Sequence, residues 1–447
     1  MNPRETLASA NLNHTKMEDN HMEESEQKLE TEVAPALIAV HPSQISVSVS
    51  VGSELRVFSL QDGSRVKLVD ETGGHKDSIR AIRYSRSGQF FVSGGDDKLV
   101  KVWDTNSWRC IYSVVSEKRV TSLAISGDGM YVCFADKFGV VYVVDIGDHN
   151  YENPAPVNKK AVPILSHYCS IITRLEFSPD GKYIITADRD FKIRVTVFPK
   201  EPLNGAHEIK SFCLGHTEFV SCLAFISCQD YAQRLLVSGS GDSTVRLWDY
   251  ASGCLLDTCD VGAESGVLHS NQRQEEVLPA ITDLSATADG SLVAVAVQGI
   301  MLLGCSFSAR TLSVVKVVSV KGETFIPTSI GAAPSSPLLW MVMGASSLQS
   351  SDSALLARVR AVSGFTANTS ESTEPETLVL EDTEIPGGEP MLQALQGKLS
   401  IGEEAFSTAA EAVKTAMRNL LIKKQYSAER REFRKRGRND KKNQTPA

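Results

Sequence analysis

Two stretches of this chain are copies of one unit, and that duplication limits the possible folds more than any other feature. GHKDSIRAIRYSRSGQFFVSGGDDKLVKVWD fills 74–104, and GHTEFVSCLAFISCQDYAQRLLVSGSGDSTVRLWD fills 215–249. Each runs Gly-His, an alternating strand, a turn, an apolar strand ending in Ser-Gly, an Asp-containing turn, and a strand ending in Trp-Asp. Such a unit cannot bury its apolar face alone, so several copies must stack to make a core.

Weaker copies fill the gaps. Residues 120–145 and 167–197 keep the strand-turn-strand pattern with Gly-Asp-Gly and Pro-Asp-Gly turns, while 281–307 and 325–362 are degenerate and 37–60 supplies strands ahead of the first clear copy. This is the WD-repeat signature, one four-stranded blade per unit. The expected fold is all-β: a seven-bladed WD-repeat β-propeller whose first and last segments join to close the ring, with a C-terminal basic α-helical extension. Closure leaves no long exposed sheet edge. Pro-, Asn- and Gly-rich insertions at 147–163, 200–210 and 260–277 read as surface loops between blades.

Each clear copy carries a histidine, a serine, an aspartate and a tryptophan: His75, Ser93, Asp97 and Trp103, then His216, Ser238, Asp242 and Trp248. Buried polar groups are costly unless all are satisfied, so the spacing predicts a hydrogen-bonded relay that fixes register inside the blade. A His/Ser/Asp set also resembles hydrolase machinery, but one that recurs in a structural repeat is a scaffold feature. No glycine-rich phosphate loop, zinc spacing, nucleophile elbow or GxGxxG fingerprint is present. The expectation is a non-catalytic scaffold with no cofactor or metal of its own.

Charge divides the chain further. Residues 17–32 hold seven acidic side chains against one lysine, and 418–442 hold eleven Lys/Arg against three Asp/Glu. The expected organisation is an acidic disordered N-terminus (1–34), the propeller (35–364), an acidic flexible linker (365–399) and a basic helical tail (400–447). In the tail, Lys423, Lys424, Arg430, Arg431, Arg434, Lys435, Arg436 and Arg438 are candidates for nucleic-acid phosphates or a nuclear localisation signal. Nine cysteines without a CxxC pair read as reduced thiols of a nuclear or cytosolic protein. The most apolar run, 291–304, is broken by Gln-Gly and reads as a hairpin, so no membrane insertion is expected.

The stretch ADRDFKIRV, 187–195, sits where a blade would end in a Trp-Asp strand, yet it carries Arg189, Asp190, Lys192 and Arg194 and no tryptophan follows. Counting from the turn puts Asp190 in register with Asp97 and Asp242 and Thr196 in the place of Trp103 and Trp248. His167, Thr186 and Asp190 would form the truncated relay of this blade. Alternation with Ile193 and Val195 puts Lys192 and Arg194 on the solvent side of the strand. By composition alone, these charges could be a solvated edge.

ADRDFKIRV followed by SFCLGHTEFVS (211–221) resembles the non-catalytic WD-repeat subunit of the tRNA guanine-N7 methyltransferase. The likeness is strong over 165–250, weaker through the other blades and only compositional in the tails. The resemblance implies a Rossmann-like catalytic partner that binds S-adenosylmethionine and methylates a guanosine in the tRNA variable loop. It also implies a heterodimer in the nucleus, also in the cytoplasm, with the propeller docking sideways and helping to position tRNA. Residue by residue, it makes Arg189, Asp190, Lys192 and Arg194 the partner-binding set, with Lys192 and Arg194 the ion-pairing residues. The competing function is a generic WD-repeat adaptor, a ubiquitin-ligase substrate receptor or a chromatin scaffold.

Overall fold

The structure, a computed structural model, describes residues 34–396 apart from 148–158, 168–169, 228–233, 265–279, 298, 321–324, 335, 346–355 and 366–377. The acidic head and the basic tail, with its eight candidate phosphate contacts, lie outside the described residues. Seven antiparallel sheets stand in chain order around a ring. They span 37–59, 79–115, 120–166, 172–214, 220–260, 283–318 and 329–362, and are called blades 1 to 7. The strands alternate: in Lys192–Val197, for instance, Ile193 and Val195 are fully buried while Lys192 is exposed. Apolar side chains from facing sheets fill each gap between blades, so the core is a chain of inter-blade clusters. The apolar run at 291–304 is a hairpin, Leu292–Ala296 paired with Ile300–Ser306. Among the described residues, no helix is long and apolar enough to cross a membrane.

Two of the three insertions lie inside blades rather than between them. Residues 146–161 separate the third strand of blade 3 from its outermost strand, Val162–Ser166, and 198–208 separate the third strand of blade 4 from its outermost strand, Ile209–Leu214. Turn-forming residues mark a loop, but they do not say which strands it joins.

In blades 2 and 5 the relay side chains meet. His75 lies 2.9 Å from Asp97 and 2.8 Å from Ser93, whose hydroxyl accepts the Trp103 indole N–H at 3.1 Å. His216 repeats this with Asp242 at 2.9 Å, Ser238 at 2.7 Å and Trp248 at 2.8 Å. Indole can only donate and carboxylate can only accept, so Trp donates to Ser and His Nδ1 donates to Asp, and with a neutral imidazole Ser in turn donates to His Nε2. Burial pushes the Asp242 carboxyl up. The hydrogen bond from His216, the Thr244 hydroxyl and the Thr217 amide outweigh it and hold the group below its ordinary value. A carboxyl depressed in the folded state stabilises above its unfolded pKa, about 3.9, and that contribution disappears as pH falls through the folded value. Thermal melts of wild type and Asp242→Asn should therefore differ most at neutral pH and converge below about pH 4. A constant gap down to the most acid sample would remove the carboxylate from this role.

Blade 4 corrects the sequence reading. His167 pairs with Asp188 at 2.9 Å and Thr186 at 2.7 Å, so Asp188, not Asp190, is the relay carboxylate. Its second oxygen accepts the amides of Asp190 at 2.9 Å and Lys192 at 3.1 Å, which pins the charged turn to the blade.

Ion pairs cross the middle of the ring between innermost strands of non-adjacent blades. Arg83 of blade 2 meets Glu176 of blade 4 at 2.7 Å, and Arg174 of blade 4 meets Asp283 of blade 6 at 2.6 Å. Both ends of the propeller meet at the seam between blades 7 and 1. Pro35 bridges to Ala345, the Ala36 amide donates to the Gly344 carbonyl, and the Thr328 hydroxyl donates to the Ala36 carbonyl at 2.8 Å.

The stretch expected as a flexible linker also returns to this seam. Leu378–Leu380 edges blade 7 through a Val362–Val379 bridge, and the helix Gly388–Gln396 packs on the outside. Ile385, Met391, Leu392 and Leu395 are buried against Phe58, Trp340 and Val359, and Arg56 donates to the Leu395 carbonyl at 2.7 Å. Gly63 permits this approach, since a Cβ there would lie 3.0 Å from the Gly387 carbonyl oxygen. The acidic composition of 366–390 conceals an apolar stripe that begins at its far end.

Candidate protein-docking edge on blade 4

In blades 2, 4 and 5 the third strand carries a cation opposite the relay hydroxyl. In blade 2 this is Lys101, paired with Ser93; in blade 5 it is Arg246, paired with Ser238; in blade 4 it is Arg194, paired with Thr186. These three cations have different surroundings. Lys101 is fully buried and spends its ammonium inside the chain, on Asp70 at 2.7 Å, the Thr72 hydroxyl at 2.7 Å and the Gly73 carbonyl at 2.8 Å. Arg246 leans back toward the Asp turn, with its Nε on the Thr244 hydroxyl at 3.3 Å.

Arg194 leans the other way. Its Nε donates to the Thr196 hydroxyl at 3.1 Å and one terminal nitrogen donates to the Ser166 carbonyl at 3.1 Å. Thr196 faces Ile184 in the register where Trp103 faces Phe91, so a hydroxyl that aims the guanidinium replaces the indole. Arg194 is half-buried, and burial lowers its pKa from the usual arginine value with no carboxylate acting against it. Among the described residues no acidic side chain lies within ion-pairing distance of Arg194 or Lys192. A half-desolvated cation without its counter-charge is costly to keep, and a partner carboxylate would relieve that cost.

The outermost strand adds an apolar component that the sequence reading missed. Lys192 faces Leu214 and Arg194 faces Phe212 across the ladder, so the four side chains share one face. Leu214 is 60% exposed and Phe212 42% exposed, side by side with the two cations. The opposite face, with Ile193, Val195 and Cys213, is buried against blade 5. The bond from Arg194 to Ser166 places the exposed face along the groove beside blade 3. An apolar centre with cations at its side is the composition of a protein interface.

Arg189 and Asp190 stand in the turn above, both half-buried, with the Arg189 amide donating to the Ile171 carbonyl at 3.0 Å. Phe191 takes a φ of 69°, the left-handed position that Lys98 and Ser243 take in blades 2 and 5. The turn thus has the backbone shape of the corresponding turns in blades 2 and 5. Since Asp188 holds the relay, Asp190 is released from the structural role that the repeat spacing assigned to it. Among the described residues, no group of three or more His, Cys, Asp or Glu is placed to hold a metal ion.

Comparison with known proteins includes this region. Residues 156–336 match the family model described as the tRNA methyltransferase TRM82 WD40 domain, and 66–104 match the WD domain, G-beta repeat. A Xenopus laevis protein named as the tRNA (guanine-N(7)-)-methyltransferase non-catalytic subunit is 32% identical over 278 residues, covering 60% of this chain and 65% of its own length. Counterparts with the same description are 30% identical in Dictyostelium discoideum, covering 52% of this chain and 50% of theirs, and 36% identical in Homo sapiens, covering 42% and 41%. The chain thus spans about half the length of most curated relatives it matches. Among solved structures, U3-55K aligns with a TM-score of 0.55 at 18% identity, covering 70% of this chain and 89% of its own, and the RRP9 WD40 repeats align with 0.55 at 17%, covering 70% and 88%. At that identity they bear on the fold alone, a WD-repeat propeller.

Proposed function

We propose that this chain is a member of the family of non-catalytic WD-repeat subunits of the tRNA (guanine-N7)-methyltransferase, and that it acts as the scaffold of that complex. The names of its relatives and the family match through blade 4 support this reading over a general adaptor. Its partner would be a Rossmann-like subunit that binds S-adenosylmethionine and carries the chemistry, in a heterodimer of nucleus and cytoplasm.

The observation that carries the reading is Arg194. The blade has exchanged its tryptophan for a threonine that aims a guanidinium into an open groove, with Lys192 beside it and Phe212 and Leu214 below. Carboxylates of the catalytic subunit would take the two cations while apolar side chains cover Phe212 and Leu214. Docking on one rigid blade would hold the catalytic subunit in a single shape, which is the contribution of a scaffold to catalysis. The basic tail, Lys423 to Arg438, would hold tRNA phosphates or direct nuclear import.

The test is N7-methylguanosine formation on tRNA by the matching catalytic subunit, with and without this chain. Activity is expected to require the chain. Equal activity without it would return the protein to the class of general adaptors.

A further inference from the structure

Next to the docking groove, the junction of blades 2 and 3 gathers cations for which the docking reading has no use. At the rim, the turn after Tyr131–Asp136 exposes Phe138, which is 53% accessible. The ammonium of Lys118 lies 5.3 Å from its ring centre and that of Lys137 lies 5.9 Å away. The Lys137 amide donates to the Arg119 carbonyl at 3.0 Å, so the loop and the turn form one ledge. Below it, a cleft of about 440 Å³ continues along the rim, lined by Ser116, Glu117, Tyr142, Lys159 and Lys160 among others. Lys159 sits 4.7 Å over the ring of Tyr112, and the buried hydroxyl of Ser116 has no hydrogen-bond partner. Among the described residues, no carboxylate is within ion-pairing distance of Lys118, Lys137, Lys159 or Lys160, although Glu117 stands in the same cleft.

We infer that this ledge and cleft bind a nucleic-acid strand, with one base stacked on Phe138 and successive phosphates on the four lysines. An exposed ring bracketed by ammoniums on long, flexible stems suits that ligand: every base has a flat face to stack, and the lysines can swing from the ring to the flanking phosphates. The inference rests on the reading above for its source of RNA, and makes blade 3 the surface over which tRNA passes beside the docked enzyme.

The experiment titrates labelled tRNA by fluorescence anisotropy against the assembled complex and against the chain alone. It uses wild type, Phe138→Ala, and a variant with Lys118, Lys137, Lys159 and Lys160 all changed to alanine, and assembly is read separately by size-exclusion chromatography. Phe138→Ala should weaken binding at least about fivefold with the salt slope unchanged. The lysine variant should weaken it more, and each phosphate that is no longer neutralised should lower the slope of log K against log salt by about 0.7 to 0.9. Variants that assemble and bind tRNA as wild type does would overturn the inference. So would variants that keep tRNA affinity but fail to bind the catalytic subunit, since the ledge would then hold protein. A wild-type chain that never assembles sinks the scaffold reading instead, and the titration of the chain alone still reads the ledge.

Discussion

A chain with Lys192 and Arg194 both reversed to glutamate should fold normally, fail to capture the catalytic subunit, and leave tRNA unmethylated. Truncating one partner of a buried hydrogen-bonded charge pair costs on the order of 2 to 5 kcal/mol, a factor of about 30 to several thousand in affinity. Reversal adds repulsion from whatever carboxylate the partner presents. Arg194 should account for most of the loss because it is half-buried and aimed, whereas Lys192 is exposed and better solvated. Arg194→Met separates packing from charge: it retains the apolar stem and should still lose most of the binding. Phe212→Ala should weaken the complex without altering its salt dependence. The fold should tolerate the reversals, since the blade's apolar contacts are made by Ile193 and Val195 on the other face. Binding and melting temperature measured together decide the matter, and normal capture by the reversed chain would make this edge a solvated one.

Removing residues 378–447 should have the second large effect, on stability rather than on binding. Ile385, Met391, Leu392 and Leu395 are 0–2% exposed, and their loss would uncover Phe58 and the side of blade 7. A single Leu395→Ala should cost about 2 to 5 kcal/mol, the range for a buried leucine whose cavity cannot collapse. In the truncated chain Arg56 would also lose the Leu395 carbonyl to which it donates. Expected outcomes are a lower melting temperature for Leu395→Ala and, for the truncated chain, early proteolysis at the blade 7 and blade 1 strands. A truncated chain that melts with full-length protein would mean that the helix is only a passenger.

Much of this architecture is legible in the residues because its units repeat. Two full copies set the strand spacing, blades 3, 4 and 6 follow from alternation and Asp-Gly turns, and blades 1 and 7 from alternation and ring closure. What fails is local. The relay carboxylate of blade 4 is misplaced by two residues because counting from the turn assumes that the carboxylate always sits in the turn. In blades 3 and 4, Asp136 and Asp188 stand on the last residue of the strand instead and accept two amides of the turn from there. The exposure of Phe212 and Leu214 escapes sequence reasoning because an apolar alternating strand looks the same whether or not a neighbour covers it. The seam helix escapes it because an acidic stretch precedes the helix and its apolar residues are few, although Met391, Leu392 and Leu395 already carry helical spacing.

The seam joins residues that are made far apart in synthesis. Arg56 and the carbonyl it holds are 339 positions apart, and Thr328 and Ala36 are 292 apart. As the chain leaves the ribosome, the first blade emerges and then waits, its edge open, for a mate that is translated only after five other blades. Intermediate blades can stack on their predecessors as they appear, but the ring cannot lock until blade 7 has cleared the exit tunnel, and the helix covers the joint only after that. A message cut short before that point would yield a stack with two raw edges, since the contacts between blades 7 and 1 could not form. Chaperones and proteases would therefore read the presence of every blade from whether this one joint has closed.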